Sequence, residues 1–375
     1  MNRINRLTIL CFYEEVGYVD LYVYHLVKEL LSVSTQVAIV VNGEMEEKAK
    51  VYFEQCNCIV LIRANEGYDA TAYKYVFEVI GRDKIKEFDQ IVLCNDTFFG
   101  PFIPMKDIFD EMETREWDFW GLSYQDRNLF QFIASYFLVF GEKTIQSDDL
   151  WSYFESMQEI AEYQDALIRF ELGIFLYFKE RGYINDCLVC KKKYFSNVNY
   201  PYENLKYEQL PILKKRAFTI KDNWKLMKAI KFIQDNYNYD INLILTWMER
   251  KKIVLDENKD PLKSSLPTKI NDCPRVTIND IYNFISKWKN ICIYGNGYFG
   301  HILIDLYQIK PQFIIVSEGQ TLQQNQYRGI PIKSILQINI KNNETGIIVA
   351  LNRANTEEVK ICLGNSDNVL YLWED

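Results

Sequence analysis

Residues 90–104 read QIVLCNDTFFGPFIP, and this stretch decides the fold class. Its first part, residues 91–94, is an unbroken apolar run of the kind found in strands buried on both faces, as in a parallel sheet. A polar triplet that contains Asp96 follows, and the chain-breaking Gly100 comes soon after it. Because open α/β sheets bind ligands at the carboxyl ends of their strands, we expect Asp96 to meet a charged, metal-bound ligand at the sheet edge. An aspartate that only caps a turn gives the same pattern.

The segments around this stretch alternate between strand-like and helix-like patterns. Buried strands are predicted at 7–13, 36–41, 58–63 and 90–94, and helices of regular apolar spacing at 19–31, 45–55 and 70–80. Short connections between alternating strands and helices predict an α/β fold with a mostly parallel sheet and flanking helices. No glycine-rich phosphate loop follows the first strand, so this part of the chain lacks the dinucleotide-binding fingerprint. Further strands are predicted at 117–121 and 132–140, and further helices at 105–112, 150–162, 165–181, 223–236 and 241–250.

A polar stretch with several prolines divides the chain. Residues 256–274 read DENKDPLKSSLPTKINDCP, a composition typical of a linker between domains. We therefore predict an α/β domain with a helical end over residues 1–255, and a second, small α/β domain over residues 275–375. The second domain begins with a predicted helix at 278–288 and a predicted strand at 291–294.

The composition excludes several classes of function. The chain has 375 residues, of which 48% are apolar and 25% charged, and its formal net charge is -8. Since it has no basic tract, it lacks the cationic footprint of a nucleic-acid-binding protein, and we expect no nucleic-acid partner. The 9 cysteines lie mostly in apolar runs, which indicates free thiols in a reducing compartment. The pair Cys187 and Cys190 has metal-ligand spacing, but no second pair completes a zinc site.

The sequence also bears on location. The first residues, MNRINRLTIL, do not have the pattern of a signal peptide. No apolar run approaches the length of about 18 residues that a membrane span requires. We therefore expect a cytoplasmic protein, for which a partner or a lipid-linked substrate is the remaining route to the inner face of the membrane.

A second polar motif is expected at the same sheet edge as Asp96. Residues 65–74, NEGYDATAYK, join a predicted strand end to a predicted helix start, where backbone N–H groups bind anions. Asp69 suits a ribose hydroxyl or a base edge, although it can equally be the N-cap of its helix. The predicted donor-binding residues are Asn65, Gly67, Tyr68, Asp69, Tyr73, Lys74, Asn95, Asp96 and Thr97.

Two further groups are candidates for the chemistry and for a sugar. Glu171 lies on a predicted helix, and a carboxylate there can deprotonate an acceptor hydroxyl, although any helix offers such glutamates. An aromatic residue beside a glycine at a strand end can stack on a sugar ring, although such residues more often belong to the core. The predicted acceptor or sugar pocket consists of Trp120, Gly121, Ser135 and Tyr136.

A glycine motif follows the predicted strand at 291–294. Gly295, Gly297 and Gly300 open a helix, and the acidic Glu318 comes later, which is the context of a nucleotide-binding fingerprint. Glycines kept only for tight packing between strand and helix are equally consistent with the motif. A convincing catalytic Tyr-Lys pair is not found near this loop, so NAD is not the expected cofactor.

Together, these motifs resemble the rhamnan synthesis protein F family of bacterial polysaccharide glycosyltransferases. The resemblance extends from about residue 7 to about residue 250. It rests on NEGYDATAYKYVF (65–77), QIVLCNDTFFGPFIPM (90–105), WDFWGLS (117–123), SYFLVF (135–140) and FELGIFLYFKERGY (170–183).

The resemblance implies a GT-A-like sugar-nucleotide fold. The triplet at 95–97 stands where such folds carry their metal-binding acidic motif, with one Asp instead of two. The resemblance therefore implies that Asp96 binds Mg²⁺ or Mn²⁺ and the donor diphosphate, that Asp69 lies in the nucleotide pocket, and that Glu171 is the base of an inverting reaction. The C-terminal unit is similar to small Rossmann-like domains found beside sugar-processing enzymes.

The resulting hypothesis is an inverting glycosyltransferase of cell-surface or capsular polysaccharide synthesis. It would move rhamnose or another hexose from a nucleoside-diphosphate sugar to a lipid-linked or oligosaccharide acceptor, and Lys214 or Arg216 would add positive charge at the leaving group. One alternative is an NAD-dependent sugar-modifying oxidoreductase or epimerase that uses residues 295–300. Another is a non-catalytic subunit that binds a nucleotide or a partner enzyme.

Overall fold

The computed structural model describes residues 4–127, 129–191, 196–220, 224–255, 274, 276–317, 325–338 and 344–373. The chain divides into two compact units, one formed by Met1–Gln125 with Phe132–Ile270 and the other by Asp126–Gln131 with Asn271–Asp375. Residues 256–273 of the predicted linker lie outside the described residues.

The described residues before the linker form ten strands. They are β1 Arg6–Phe12, β2 Gln36–Asn42, β3 Cys58–Arg63, β4 Gln90–Asn95, β5 Phe98–Phe99, β6 Phe119–Arg127, β7 Phe130–Ile133, β8 Phe137–Gly141, β9 Asn185–Lys191 and β10 Leu213–Lys214. The large sheet has the order β3-β2-β1-β4-β8-β6-β7, and β9 pairs with β6. Strands β3, β2, β1 and β4 are parallel, as are β6 and β9, whereas β8 is antiparallel to both β4 and β6. The predicted α/β class with a mostly parallel sheet is confirmed.

Helices cover the faces of this sheet. They are α1 Leu21–Val33, α2 Glu47–Gln55, α3 Tyr68–Ile80, α4 Arg82–Ile85, α5 Met105–Met112, α6 Glu142–Gln146, α7 Asp149–Ser156, α8 Tyr163–Asp165, α9 Gly173–Glu180, α10 Pro201–Lys206, α11 Trp224–Asn236 and α12 Asn242–Arg250. A π-helical segment, Ala166–Leu172, joins α8 to α9, and a 3₁₀ segment, Lys215–Thr219, follows β10.

The apolar run of β4 is explained by burial on both of its faces. Val92 and Cys94 belong to the apolar cluster on one face of the sheet, which also contains the buried residues of α1 and α5. Ile91 and Leu93 belong to the cluster on the other face, which contains the buried residues of α3. A strand that is buried on both faces needs an apolar side chain at every position. Its sequence is therefore continuously apolar, whereas a strand with one exposed face alternates between apolar and polar residues.

The single strand predicted at 132–140 is wrong in one respect. The segment forms two strands, β7 and β8, separated by a turn at residues 134–136. The turn is held by backbone hydrogen bonds from Ala134 N to Ser123 O (2.9 Å) and from Asn95 N to Tyr136 O (3.1 Å). Since all three turn residues are buried, hydrophobicity alone does not reveal the break.

The second unit is a smaller α/β structure. Its strands are β11 Asn290–Tyr294, β12 Phe313–Val316, β13 Gln326–Tyr327, β14 Ile330–Ser334, β15 Thr345–Val349 and β16 Val369–Tyr371, in the order β13-β14-β12-β11-β15-β16. All neighbours are parallel except β13 and β14. Its helices are α13 Ile278–Ile285, α14 Tyr298–His301 and α15 Arg353–Leu363, with a π-helical segment at Ile302–Leu306 and a 3₁₀ segment at Ile335–Gln337. The predicted small Rossmann-like α/β domain is confirmed as a fold class.

Within the described part of the chain, no helix combines the length and the apolar composition needed to cross a lipid bilayer.

Candidate active site

Asp96 lies at the carboxyl end of β4 and is almost fully buried. Only 5% of its surface is exposed, and its backbone N–H donates to the carbonyl of Cys11 at the end of neighbouring β1 (3.2 Å). Its carboxylate Oδ2 accepts hydrogen bonds from the Tyr22 hydroxyl and from the Lys215 ammonium, each at 2.8 Å. The Lys215 ammonium also donates to the Tyr22 hydroxyl at 2.6 Å. These three groups form a closed triangle at the sheet edge.

A short strand pair brings the lysines to this edge. Strand β10 pairs antiparallel with β5, with Lys214 opposite Phe98, and the Lys215 N–H donates to the Thr97 carbonyl at 2.9 Å. The segment that leads into β10 packs closely against the backbone at Gly100. The φ of Gly100 is +121°, which is unfavourable for any other residue. A Cβ atom there would lie 2.8 Å from the backbone oxygen of Pro211.

A second chain of hydrogen bonds runs along the triplet. The Lys214 ammonium donates to Thr97 Oγ1, and that hydroxyl donates to Asn95 Oδ1 at 2.5 Å. Asn95 Nδ2 then donates to Asp69 Oδ2 at 2.8 Å. Every donor in the chain points away from the lysine and towards the aspartate. These hydrogen bonds connect the motif at 65–74 with the motif at 90–104. The two motifs therefore meet at one sheet edge, as predicted from the sequence.

The charges at this edge are perturbed by burial. Burial lowers the pKa of Lys214 to about 8, although the nearby charges of Glu171, Asp69 and Asp96 act in the opposite direction. Burial also raises the pKa of Asp69, against the hydrogen bond from Asn95. A cluster of partly buried charges beside a sheet edge is typical of a functional site.

Glu171 lies in the π-helical segment between α8 and α9, and its charge acts on the same group of residues. Among the charged neighbours that act on Lys214, Glu171 has the largest influence. Burial is the main cause of the raised pKa values of Tyr136 and Tyr163, and the charge of Glu171 raises both further. The structure therefore brings Glu171 into electrostatic reach of the lysine that is connected to the triplet.

Two half-exposed tyrosines lie beside these charges. The rings of Tyr68 and Tyr163 are 6.0 Å apart, and 41% and 45% of their surfaces are exposed. Arg216 Nη1 donates to the Tyr163 hydroxyl at 2.6 Å. Tyr68 follows Gly67, and both have a positive φ, so the chain bends sharply into α3. Asp69 is in the first turn of that helix, two positions after the N-cap Gly67, so the alternative in which Asp69 is itself the N-cap is wrong.

Several predicted pocket residues belong to the core instead. Trp120 has no exposed surface and packs against Phe109, with ring centroids 5.2 Å apart, so it offers no face to a sugar. A Cβ atom at Gly121 would lie 2.7 Å from the Phe137 carbonyl, which explains that glycine by strand packing. Tyr73 is also fully buried. Trp120 and Gly121 were predicted to line the sugar pocket and Tyr73 the donor site, and their positions do not agree with these predictions. An aromatic residue in a core and one that stacks on a sugar give the same sequence pattern.

The remaining predicted residues are placed as follows. Tyr136 is buried, its hydroxyl is 2.8 Å from Ser123 Oγ, and its ring lies under the Lys214 ammonium at 4.2 Å from the centroid. Ser135 is buried next to it. Lys74 Nζ donates to the Glu155 carbonyl at 3.4 Å, and Asn65 is exposed.

Sequence reasoning did not single out Tyr22 or Lys215. Tyr22 fits the apolar face of α1, so its hydroxyl had no distinguishing signal. Lys215 lies in the basic cluster 214–216, of which only Lys214 and Arg216 were proposed. The cluster itself was the available signal.

The glycine motif of the second unit is explained in part by packing. A Cβ atom at Gly300 would lie 2.1 Å from the Gly295 carbonyl, and one at Gly295 would lie 2.5 Å from the Ala350 carbonyl. Gly297 has nothing within 4 Å. Glu318 lies outside the described residues. Two of the three glycines are therefore required by strand and helix contacts, whatever the unit binds.

The residues around Asp96 do not fit a divalent cation. The carboxylate already forms an ion pair with Lys215, and the Lys214 ammonium lies beside the neighbouring Thr97. Among the described residues, no group of three His, Cys, Asp or Glu side chains is arranged to hold a metal ion. A divalent cation needs several oxygen ligands and is repelled by adjacent ammonium groups.

Comparison with known proteins identifies a family. The model of the family described as rhamnan synthesis protein F matches residues 37–353. No curated protein matches the chain.

Solved structures are similar only at a low level. The glycosyltransferase GlyE of Streptococcus pneumoniae TIGR4 has a TM-score of 0.33 and 12% identity, with 99% of this chain and 91% of that chain covered. Residues 1–349 of TarS from S. aureus have a TM-score of 0.32 and 9% identity, with 70% and 76% covered. A cytidylyltransferase from Leptospira borgpetersenii serovar Hardjo-bovis has a TM-score of 0.32 and 12% identity, with 68% and 99% covered. At these TM-scores the likeness carries no argument, whereas the family match spans most of the chain. The chain belongs to the rhamnan synthesis protein F family.

Proposed function

We propose that this chain is an inverting glycosyltransferase that moves a sugar from a nucleoside-diphosphate sugar to a growing cell-surface or capsular polysaccharide. Membership of the rhamnan synthesis protein F family supports a nucleotide-sugar transferase. The observation that carries the proposal is the chain of hydrogen bonds from Lys214 through Thr97 and Asn95 to Asp69, because it joins cationic and anionic groups at one sheet edge.

The donor would lie along this edge. Its ribose hydroxyls or base edge would meet Asp69, whose carboxylate lies in the first turn of α3. Its diphosphate would lie towards Thr97 and Asp96, where Lys214 at the end of β10 and Lys215 at the start of the next segment supply positive charge. The backbone N–H groups at the start of α3 also favour an anion.

Glu171 would act as the base. Its carboxylate would take the proton of an acceptor hydroxyl as that oxygen attacks the anomeric carbon, and the bond from this carbon to the diphosphate would break on the opposite side. Inversion follows from this single displacement. The influence of the Glu171 charge on the pKa of Lys214, a residue of the proposed diphosphate site, supports the assignment.

The sugar and the acceptor are proposed from the family alone. A rhamnan synthesis protein would transfer rhamnose or another hexose, and the acceptor would be a lipid-linked or free oligosaccharide. A lipid-linked acceptor would bring the enzyme to the inner face of the membrane.

The test is a panel of nucleoside-diphosphate sugars. Thermal shift identifies the donor that binds, because a ligand that binds only the native state raises the melting temperature. Transfer is then measured with that donor and a rhamnose-containing oligosaccharide. Glu171→Gln should retain donor binding and lower kcat by about 10²- to 10⁴-fold.

The matched control is Glu180→Gln, which changes an exposed glutamate at the end of α9 and should retain full activity. Full activity of Glu171→Gln would remove Glu171 from the mechanism. A protein that binds a nucleotide sugar but never transfers or hydrolyses it would instead favour a non-catalytic binding subunit.

A further inference from the structure

Two lysines lie where a metal ion was expected. The Lys215 ammonium is 2.8 Å from the Asp96 carboxylate, and the Lys214 ammonium donates to Thr97 Oγ1. The charge of Lys215 acts to lower the pKa of Lys214, as expected of a close neighbour. Both side chains are only partly exposed, so their charges are less screened by water than those of surface lysines.

We propose that Lys214 and Lys215 stabilise the departing diphosphate in place of a divalent cation. In this arrangement Asp96 is a positioning residue: it holds Lys215 at the sheet edge and does not bind a metal. The inference rests on the proposed function, because it assigns these side chains to the leaving group of that reaction.

The charge balance of the transfer explains why two cations are useful. As the acceptor oxygen forms its bond to the anomeric carbon, the electron pair of the old bond passes to the β-phosphate oxygen. The acceptor proton goes to Glu171, and the diphosphate gains one negative charge. Ammonium groups fixed beside that oxygen stabilise the new charge without moving, which is the basis of electrostatic catalysis.

The fold holds both lysines in place before any ligand arrives. Pairing of β10 with β5 fixes the backbone of Lys214, and the Thr97 carbonyl fixes the N–H of Lys215. Tyr22 and Asp96 then fix the Lys215 ammonium, while the Tyr136 ring and Thr97 fix that of Lys214. Rigid, shared contacts of this kind are expected of groups that act on a developing charge.

The position of Lys215 is explained by its ion pair with Asp96, but that of Lys214 is not. Lysine ammonium groups are rarely partly buried unless they are paired, and among the described residues only Lys215 of these two forms an ion pair with a carboxylate. Lys214 instead contacts a hydroxyl and an aromatic ring, and its ammonium has a pKa lowered by burial. An anionic ligand at this edge would add to the negative charge of Glu171, Asp69 and Asp96, which already favours the charged form of Lys214.

The test measures the binding of UDP, dTDP and GDP by calorimetry, with EDTA and with MgCl₂. The proposal predicts that one of these nucleoside diphosphates binds, and that its dissociation constants with EDTA and with MgCl₂ differ by no more than about twofold. Lys215→Met and Lys214→Met should each weaken its binding at least tenfold, and Lys215→Arg should recover part of the loss because the charge remains. Lys231→Met is the control, since Lys231 is exposed and pairs with Asp235 on the surface of α11.

The positioning role of Asp96 has its own readout. Asp96→Asn should weaken diphosphate binding in the native background but have little further effect in Lys215→Met, because Asp96 acts through that lysine. Melting temperatures of all variants separate a loss of binding from a loss of folding.

Three results would count against the proposal. Binding or transfer that EDTA abolishes and Mg²⁺ restores would overturn it while leaving the glycosyltransferase function intact. Unchanged diphosphate affinity in the two folded lysine variants would do the same. If none of the diphosphates binds and no donor sugar is transferred in either condition, the proposed function itself fails and the inference fails with it.

Discussion

Lys215 and Asp96 are 119 residues apart in the chain, yet the lysine ammonium lies 2.8 Å from the carboxylate. Asp96 ends a central strand, whereas Lys215 begins the short 3₁₀ segment after β10. The ion pair therefore joins the sheet to a segment that arrives late in the chain. Because Asp96 is buried, each partner depends on the other for its charge to be tolerated.

This dependence predicts a strong coupling in stability. Lys215→Met alone should destabilise the fold by about 3 kcal/mol, since it leaves a buried carboxylate without its partner. The double variant Lys215→Met/Asp96→Asn should be less destabilised than the sum of the two single variants, with a coupling of about 1 to 3 kcal/mol. Urea unfolding of the four proteins gives the cycle. Strictly additive effects would show that the pair contributes nothing to stability.

The sheet was predictable because its central strands are buried on both faces. The runs at 7–13, 36–41 and 90–94 are almost entirely apolar, with Thr8 inside the first and Gln36 and Gln90 at the starts of the other two, and the structure contains β1, β2 and β4 there. Asp96 and Asp69 were also predictable as members of one edge, since each follows a parallel strand end or a helix start.

The lysine side of the site was not predictable in the same way. Strand β10 has only two residues, so it has no periodicity, and its pairing with β5 is a tertiary contact. The sequence around Lys215 therefore indicates no more than a short basic cluster at residues 214–216. The sequence gives no signal for Tyr22 either, because its ring is buried in the core and only its hydroxyl reaches Asp96. For Trp120 the error is the reverse, since it was predicted to line the sugar pocket but lies in the core. The strand pattern around it does not show whether its ring faces a pocket or the core.

The lowered pKa of Lys214 predicts a pH limit for diphosphate binding. With a pKa of about 8, the ammonium is charged below that pH and loses its charge above it. The affinity for a nucleoside diphosphate should therefore be highest below pH 8 and fall above it, by at most about tenfold per pH unit for a single proton. Calorimetry from pH 6.5 to 9.5 measures the profile.

Two variants test whether Lys214 is the group responsible for this profile. Lys214→Arg retains its charge throughout the range, so its affinity should stay level above pH 8. Lys214→Met should bind weakly and without the fall. A fall of unchanged steepness in both variants would assign the titration to another group, of which Lys215, Glu171, Asp69 and Asp96 are the charged neighbours.

Gly100 should be essential to the placement of the lysines. Its φ is +121°, and an added Cβ atom would lie 2.8 Å from the Pro211 oxygen, which is backbone and cannot yield easily. Gly100→Ala should therefore destabilise the protein by about 3 kcal/mol and lower transfer activity, because the segment that carries β10 must move.

Gly81→Ala is the matched control for Gly100→Ala. Gly81 also has a positive φ, +85°, but nothing lies within 4 Å of an added Cβ atom. Gly81→Ala should therefore lower the free energy of unfolding by about 1 kcal/mol, through backbone strain alone, and leave transfer unchanged. Equal losses of stability and activity in the two variants would show that contact with Pro211 is irrelevant.

The ion cluster around Glu14 predicts how the protein responds to acid. Burial acts to raise the pKa of Glu14, but hydrogen bonds from Lys251, the Val16 N–H and Arg250 outweigh it and lower the pKa to about 2. Since Arg250 also holds Asp20, with Nε 2.8 Å from Oδ1, the cluster fastens the end of α12 to the loop before α1.

A folded-state pKa below the unfolded value means that the charged form of Glu14 stabilises the native state. This contribution is complete above about pH 4.5 and is lost as the pH falls towards 2, and it amounts to about 2 kcal/mol after allowance for screening by nearby solvent. Glu14→Gln should therefore lower stability at pH 7 and flatten its decline between pH 4.5 and 2. Glu15→Gln, at the exposed neighbouring position, should change neither. Urea unfolding at each pH measures both effects, and an unaltered acid decline in Glu14→Gln would show that other carboxylates cause it.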